Sequence, residues 1–127
     1  MNDLKKYSLL VVDDDDDLRE LMFSMFELQG FTVFAASSGD SAFRIVESKQ
    51  IDLVISDMRM PFGDGMELLK NIRARNRETP ALIFVTGFSD ISVEMCISKG
   101  AYAVFTKPFN QKELIKSAKN ALQIPLN

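Results

Sequence analysis

The chain has no histidine, no tryptophan and a single cysteine, Cys96, in 127 residues. Without histidine, a His-ligated zinc site and a His-dependent nucleophilic triad are both impossible. One cysteine excludes an intramolecular disulfide and fits a reducing compartment. Basic residues are outnumbered, 15 Lys and Arg against 18 Asp and Glu, for a net charge of −3. Direct nucleic-acid binding is therefore not expected, because its affinity rests on a basic face. No apolar run approaches the roughly 18 residues of a membrane span, and residues 1–7 are too polar for the apolar region of a signal peptide. What remains is an ordinary globular balance of 46% hydrophobic and 26% charged residues. The expectation is one cytoplasmic domain over residues 1–127, without membrane association.

Five short apolar runs, at residues 7–12, 31–36, 51–56, 81–86 and 102–106, are rich in Val, Ile, Leu and Phe, as strands buried on both faces are. Segments of helical period separate them. Leu18, Leu21, Met22 and Met25 recur at i, i+3, i+4 and i+7; Ala42, Ile45 and Val46, then Leu68, Leu69 and Ile72, then Leu114, Ala118, Ala121 and Leu122 do likewise. Phe23 and Phe26 fall off the first of these stripes and read equally as core or as an exposed patch. Gly30 and Gly100 stand where helices stop, since glycine enters the left-handed region freely. Asn110 with Glu113 reads as a variant capping box, and Ser89 or Asp90 can cap a helix over 91–99.

Alternating strands and helices predict an α/β fold, a doubly wound five-stranded parallel sheet with helices on both faces. Right-handed crossovers and a single reversal of winding give the order 2-1-3-4-5. In such sheets ligands bind beyond the carboxyl ends of the strands, at the switch point. At those ends stand Asp13 and Asp14, Asp57, Thr86, and Lys107 before Pro108. The topology gathers these residues on one edge from positions as far apart as 13 and 107.

Three carboxylates in one small site repel one another, and either protons or a cation can relieve them. With only oxygen ligands, a hard divalent ion is favoured, and Mg²⁺ suits a few carboxylates, waters and a phosphoryl oxygen. Lys107 adds a compact positive charge and Thr86 a hydroxyl donor. The set is suited to phosphoryl transfer, in which a carboxylate accepts the phosphoryl group. Asp13 and Asp14, adjacent at one strand end, read as metal ligands; Asp57, alone at the end of the central strand, reads as the acceptor.

The strings Leu9-Leu10-Val11-Val12-Asp13-Asp14 and Ser56-Asp57-Met58-Arg59-Met60-Pro61, with Thr86-Gly87 and Lys107-Pro108-Phe109, resemble the receiver domain of two-component response regulators. The resemblance spans essentially the whole chain, and the spacing of the motifs makes it specific. It implies a flavodoxin-like sheet and phosphotransfer to Asp57 from a sensor histidine kinase or a histidine phosphotransfer protein, with signalling by conformational change. It also implies a Mg²⁺ site formed by Asp13 or Asp14, Asp57 and the backbone carbonyl of Arg59. By the same resemblance Thr86 and Lys107 bind the phosphoryl group, and a cis bond precedes Pro108, where X-Pro makes it cheap. Such a phosphoprotein is no enzyme beyond its own phosphorylation and dephosphorylation. Its output domain is fused or separate, and this chain stops after Gln-Ile-Pro-Leu-Asn, as a lone module or as a piece of a longer protein would. The Met-Arg-Met-Pro and Thr-Gly-Phe-Ser-Asp strings look most like receivers of enhancer-binding activators or hybrid kinases. Arg59 and Phe88 fall where the family tunes hydrolysis.

One departure concerns the family's switch aromatic, a Tyr or Phe three residues before the lysine. Val104 stands there. Phe105 points to the opposite face of the strand, and Tyr102, on the face of Val104, lies roughly 6–7 Å back. Either the change at the last two strands is muted, or another surface carries the signal.

Simpler roles suit other residues. Asp15, Asp16 and Asp17 read as helix cap and first turn, where negative charge complements the dipole. Gly63-Asp64-Gly65 reads as a turn into the third helix, and Cys96 as a buried structural thiol. A nucleotide or flavin site would need a Gly-rich loop after the first strand, where aspartates stand. An aspartate-based phosphatase would need an acid where Arg59 is. The remaining alternative is a receiver-like interaction module that is not phosphorylated.

Overall fold

The computed structural model describes residues 3–87 and 91–125. After a single 3₁₀ turn at Leu4–Lys6, strands and helices alternate: β1 (Ser8–Val12), α1 (Asp16–Gln29), β2 (Thr32–Ala36), α2 (Gly39–Ser48), β3 (Leu53–Ser56), α3 (Gly65–Arg75), β4 (Ala81–Thr86), α4 (Val93–Ser98), β5 (Ala103–Thr106) and α5 (Gln111–Ala121). All strand pairs are parallel, in the order β2-β1-β3-β4-β5. The expected fold and strand order are thus observed, each strand within two residues of its expected start.

Burial follows position in the sheet. Leu53–Ser56 of β3 is buried throughout, as are the last four residues of β1 and the last five of β4, while the edge strands β2 and β5 are mostly half-exposed. Alternating side chains feed two cores. Leu10, Val12, Val54, Leu82 and Phe84 meet α2, α3 and α4; Leu9, Val11, Leu53, Ile55, Ile83 and Val85 meet α1 and α5. Val104 joins the first core and Phe105 the second, as strand alternation requires.

Caps set the helix starts. Asp15 caps α1 and accepts the Asp17 and Leu18 amides, with Asp16 and Asp17 in the first turn. Asp64 caps α3 and Asn110 caps α5, each accepting the amide three residues on. Ser38 and Ser41 form a reciprocal capping box on α2 that the sequence reading did not include. Gly30 (φ 107°) and Gly100 (φ 112°) take the left-handed conformation expected after α1 and α4. Among the described residues no helix is long and apolar enough to cross a membrane.

Two readings of helices need correction. Leu21, expected on the buried stripe of α1, is 44% exposed, and Phe26 is fully buried in its place, with Phe23 packed at the margin of the same core. The helix expected over 91–99 runs from Val93 to Ser98 and is capped by Ser92, whose hydroxyl accepts the Met95 amide. Ser89 and Asp90, the expected caps, lie outside the described residues, as does Phe88.

Candidate functional site at the carboxyl edge of the sheet

The parallel register brings the ends of β1, β3, β4 and β5 to one rim. Asp13 follows β1 directly, and its amide donates to the Ala36 carbonyl of β2 at 3.2 Å. Asp57 follows β3, with its amide on the Val12 carbonyl at 2.9 Å. The Lys107 amide donates to the Thr86 carbonyl at 2.8 Å, so the ends of β4 and β5 are joined by backbone as well. The Lys107–Pro108 bond is cis, as the resemblance implies.

Side chains converge on this frame. Lys107 Nζ lies 3.0 Å from Asp13 Oδ2 and 3.1 Å from Asp57 Oδ2. Asp13 is wholly buried, Asp57 and Thr86 almost so, while Lys107 keeps part of its side chain in water. The second oxygen of each buried carboxylate takes a backbone amide. Asp13 Oδ1 accepts from Asp15 N at 2.9 Å, and Asp57 Oδ1 accepts from Met58 N at 2.7 Å. Each aspartate is also fixed through its own carbonyl, Asp13 by Arg19 Nη1 at 2.9 Å and Asp57 by Ser56 Oγ at 2.8 Å. These supporting contacts were not legible as separate motifs.

The buried charges bear on one another. Burial pushes the Asp13 carboxyl up from its ordinary value and the Asp57 charge adds to this; the Asp15 amide and Lys107 oppose it without cancelling it. Burial alone would pull the Lys107 ammonium down, but its hydrogen bonds to Asp13 and Asp57 and their negative charge outweigh that, and its pKa is raised. Lys107 is thus held as a cation by the two carboxylates it separates.

Asp14 stands exposed at the rim, unlike the buried Asp13 beside it. Even so, Asp13, Asp14 and Asp57 each offer a carboxylate oxygen, and the three oxygens lie within 4.8 Å of one another. An all-oxygen, triply acidic set of this size fits a hard divalent cation such as Mg²⁺. Arg59, whose carbonyl the resemblance adds to this set, is exposed in the loop two residues beyond Asp57.

Gly65, read from sequence as part of a turn, has a stricter role. A Cβ there would fall on the Asp57 carbonyl oxygen and come within 2.8 Å of Phe84 Cε1. The glycine lets α3 begin directly against the strand that carries Asp57, with its amide on the Met58 carbonyl at 2.7 Å. The only signal in the sequence was the Gly-Asp-Gly string itself.

Comparison with known proteins agrees with this geometry. Residues 9–119 match the family model described as the response regulator receiver domain. The chain is 40% identical over 115 residues to the C4-dicarboxylate transport transcriptional regulatory protein DctD of Rhizobium meliloti, covering 90% of this chain and 25% of that protein. A response regulator receiver domain protein from Clostridium thermocellum superposes with a TM-score of 0.86 at 30% identity, over 92% of this chain and 94% of that one. The response regulator TrrA from Thermotoga maritima, solved in complex with Mg²⁺-BeF, gives a TM-score of 0.83 at 30% identity, over 91% and 99%. The chain therefore spans a quarter of the length of the first of these relatives.

Proposed function

This chain belongs to the response regulator receiver domain family, the phosphoacceptors of two-component signalling, and we propose that Asp57 is its acceptor. The observation that carries the assignment is the shared ammonium: Lys107 lies 3.0 Å from Asp13 and 3.1 Å from Asp57, with Thr86 buried at the neighbouring strand end.

In the step itself, a carboxylate oxygen of Asp57 forms the bond to phosphorus as the donor's bond to phosphorus breaks, giving an aspartyl phosphate. The donor is the phosphohistidine of a sensor kinase or of a histidine phosphotransfer protein. Lys107 is placed to hold the negative charge of the transferred group, and its cationic form is secured by the carboxylates around it. Thr86 contributes a hydroxyl donor to the phosphoryl oxygens. The Met58 amide on Asp57 Oδ1 fixes the carboxylate's orientation before reaction.

Asp13, Asp14, Asp57 and the Arg59 carbonyl would hold Mg²⁺, which when bound supplies charge neutralisation for the phosphoryl oxygens. The chain is changed by the reaction and does not turn over a separate substrate; we assign both uptake and loss of the phosphoryl group to its own residues. Residues 1–127 act as one receiver unit in the cytoplasm, serving an output domain that is fused or separate.

Incubation with Mg²⁺ and acetyl phosphate, followed by intact-mass measurement, tests the assignment. The expected result is a gain of one phosphoryl mass that is absent in Asp57→Ala. A gain that persists in the variant would place the acceptor elsewhere. No gain in the wild-type chain would favour a receiver-like interaction module.

A further inference from the structure

The N-terminus of α2 and the loop between β3 and α3 are joined backbone to backbone. The Gly39 amide donates to the Gly63 carbonyl at 2.8 Å, and the Asp40 amide to the Phe62 carbonyl at 3.2 Å. These amides belong to the first turn of α2, where no helix can satisfy its own donors. The Ser38 hydroxyl serves Ser41, leaving the neighbouring loop to serve the two amides between.

The seam has no room for a side chain. A Cβ on Gly39 would lie 2.5 Å from the Gly63 oxygen and 2.8 Å from its carbonyl carbon. A Cβ on Gly63 would lie 2.6 Å from Asp40 Oδ1 and 2.9 Å from the Asp40 amide nitrogen. Phe62 holds a left-handed φ of 60°, which bulky residues rarely adopt, while its side chain stays 81% exposed. Burial of the ring does not account for that conformation; the carbonyl it directs at Asp40 does.

The same loop is tied to the acceptor. Asp57 Oδ1 takes the Met58 amide, and the Met58 carbonyl takes the Gly65 amide, each at 2.7 Å. Displacing the Met58 amide therefore disturbs a loop whose far side is bonded to α2. By contrast, the β5 position expected to carry an aromatic lever holds Val104, a β-branched side chain with little rotamer freedom, packed into the core under α4.

We propose that the seam between Gly39–Asp40 and Phe62–Gly63 transmits the state of Asp57 to α2, making the first turn of α2 an output element. The inference rests on Asp57 being the acceptor. Phosphorylation at Oδ1 of Asp57 takes that oxygen from the Met58 amide, the loop shifts, and the two α2 amides lose their carbonyl partners. Packed backbone contacts of this kind change between discrete arrangements, which allows a small shift to be felt at a distance.

Amide hydrogen exchange by NMR tests this, with Mg²⁺ and beryllium fluoride as the phosphoryl mimic. In the wild-type chain the mimic should shift the Met58 amide resonance and change exchange at Gly39 and Asp40 by on the order of tenfold, a usual size for coupling between sites. In Gly39→Ala, which wedges the seam, Met58 should still respond and the α2 change should vanish. Ser38→Ala weakens the same helix end without touching the seam and should keep the response. A responding Met58 with unchanged Gly39 and Asp40 in the wild-type chain overturns the inference, even if Gly39→Ala fails to fold. So does a full α2 response in a folded Gly39→Ala. A silent Met58 instead marks failure of the acceptor assignment, and the inference falls with it.

Discussion

The ammonium of Lys107 sits 3.0 Å from the carboxylate of Asp13, 94 residues away in the chain, and Asp13 has no exposure to solvent. The contact closes the sheet's carboxyl edge from β1 to β5 across β3 and β4. It also sets the electrostatics of the pocket, because the same ammonium holds Asp57 at 3.1 Å. A cation in the pocket and the lysine thus answer the same two charges.

Replacing Lys107 with methionine keeps the stem and removes the charge. Asp13 and Asp57 then face each other uncompensated, so the variant should be less stable by about 1–3 kcal/mol without divalent ions, the usual cost of leaving a buried acceptor without its donor. Added Mg²⁺ should restore part of that loss, and the variant should bind Mg²⁺ more tightly than the wild-type chain. Urea unfolding with and without Mg²⁺ measures both effects. Equal stability in the absence of metal would contradict a stabilising role for the ammonium between the two carboxylates.

The two adjacent aspartates should separate function from stability. Asp14 is exposed, so Asp14→Ala should weaken Mg²⁺ binding at least about tenfold, the lower end of the loss seen even for groups that only support a metal ligand, with unfolding unchanged. Asp13 is buried and accepts both the Asp15 amide and Lys107. Asp13→Ala should therefore lose metal affinity and also about 1–3 kcal/mol of stability, because the Asp15 amide loses its acceptor and Lys107 keeps only one of its two carboxylates. Calorimetric Mg²⁺ titration alongside thermal unfolding distinguishes the pair; equal unfolding in both variants would contradict the burial difference.

The site was legible because its chemistry sits at strand ends. Once five apolar runs fix the parallel order, Asp13, Asp57, Thr86 and Lys107 must share an edge, and no side-chain detail is needed to say so. What stayed hidden depends on close approach or on local competition. Period puts Leu21 on the buried stripe of α1 and Phe26 off it, and only packing against β1 and β2 decides that Phe26 is the buried one. The steric roles of Gly39 and Gly65 come from neighbours that sequence spacing does not reveal. The Ser38–Ser41 box escaped because serine at the third helical position stands in for the usual glutamate.

Val104 makes the final prediction. It is half-buried on β5 and packs into the core beneath α4, where a larger rotatable ring would have an outward and an inward position. Valine has no comparable pair of positions, since its two methyl groups fix one preferred rotamer for a given backbone. Tyr102, on the same face, is already 46% exposed and lies before the strand begins, too far back to take the place over. Backbone resonances of residues 93–98 and 103–105 should therefore move little when Mg²⁺ and beryllium fluoride are added, less than those of Met58 and Thr86. In Val104→Tyr the same resonances should respond strongly, because the missing lever has been supplied. A large wild-type response confined to α4 and β5 would mean that valine suffices to couple Thr86 to this face, and the argument from side-chain freedom would be wrong.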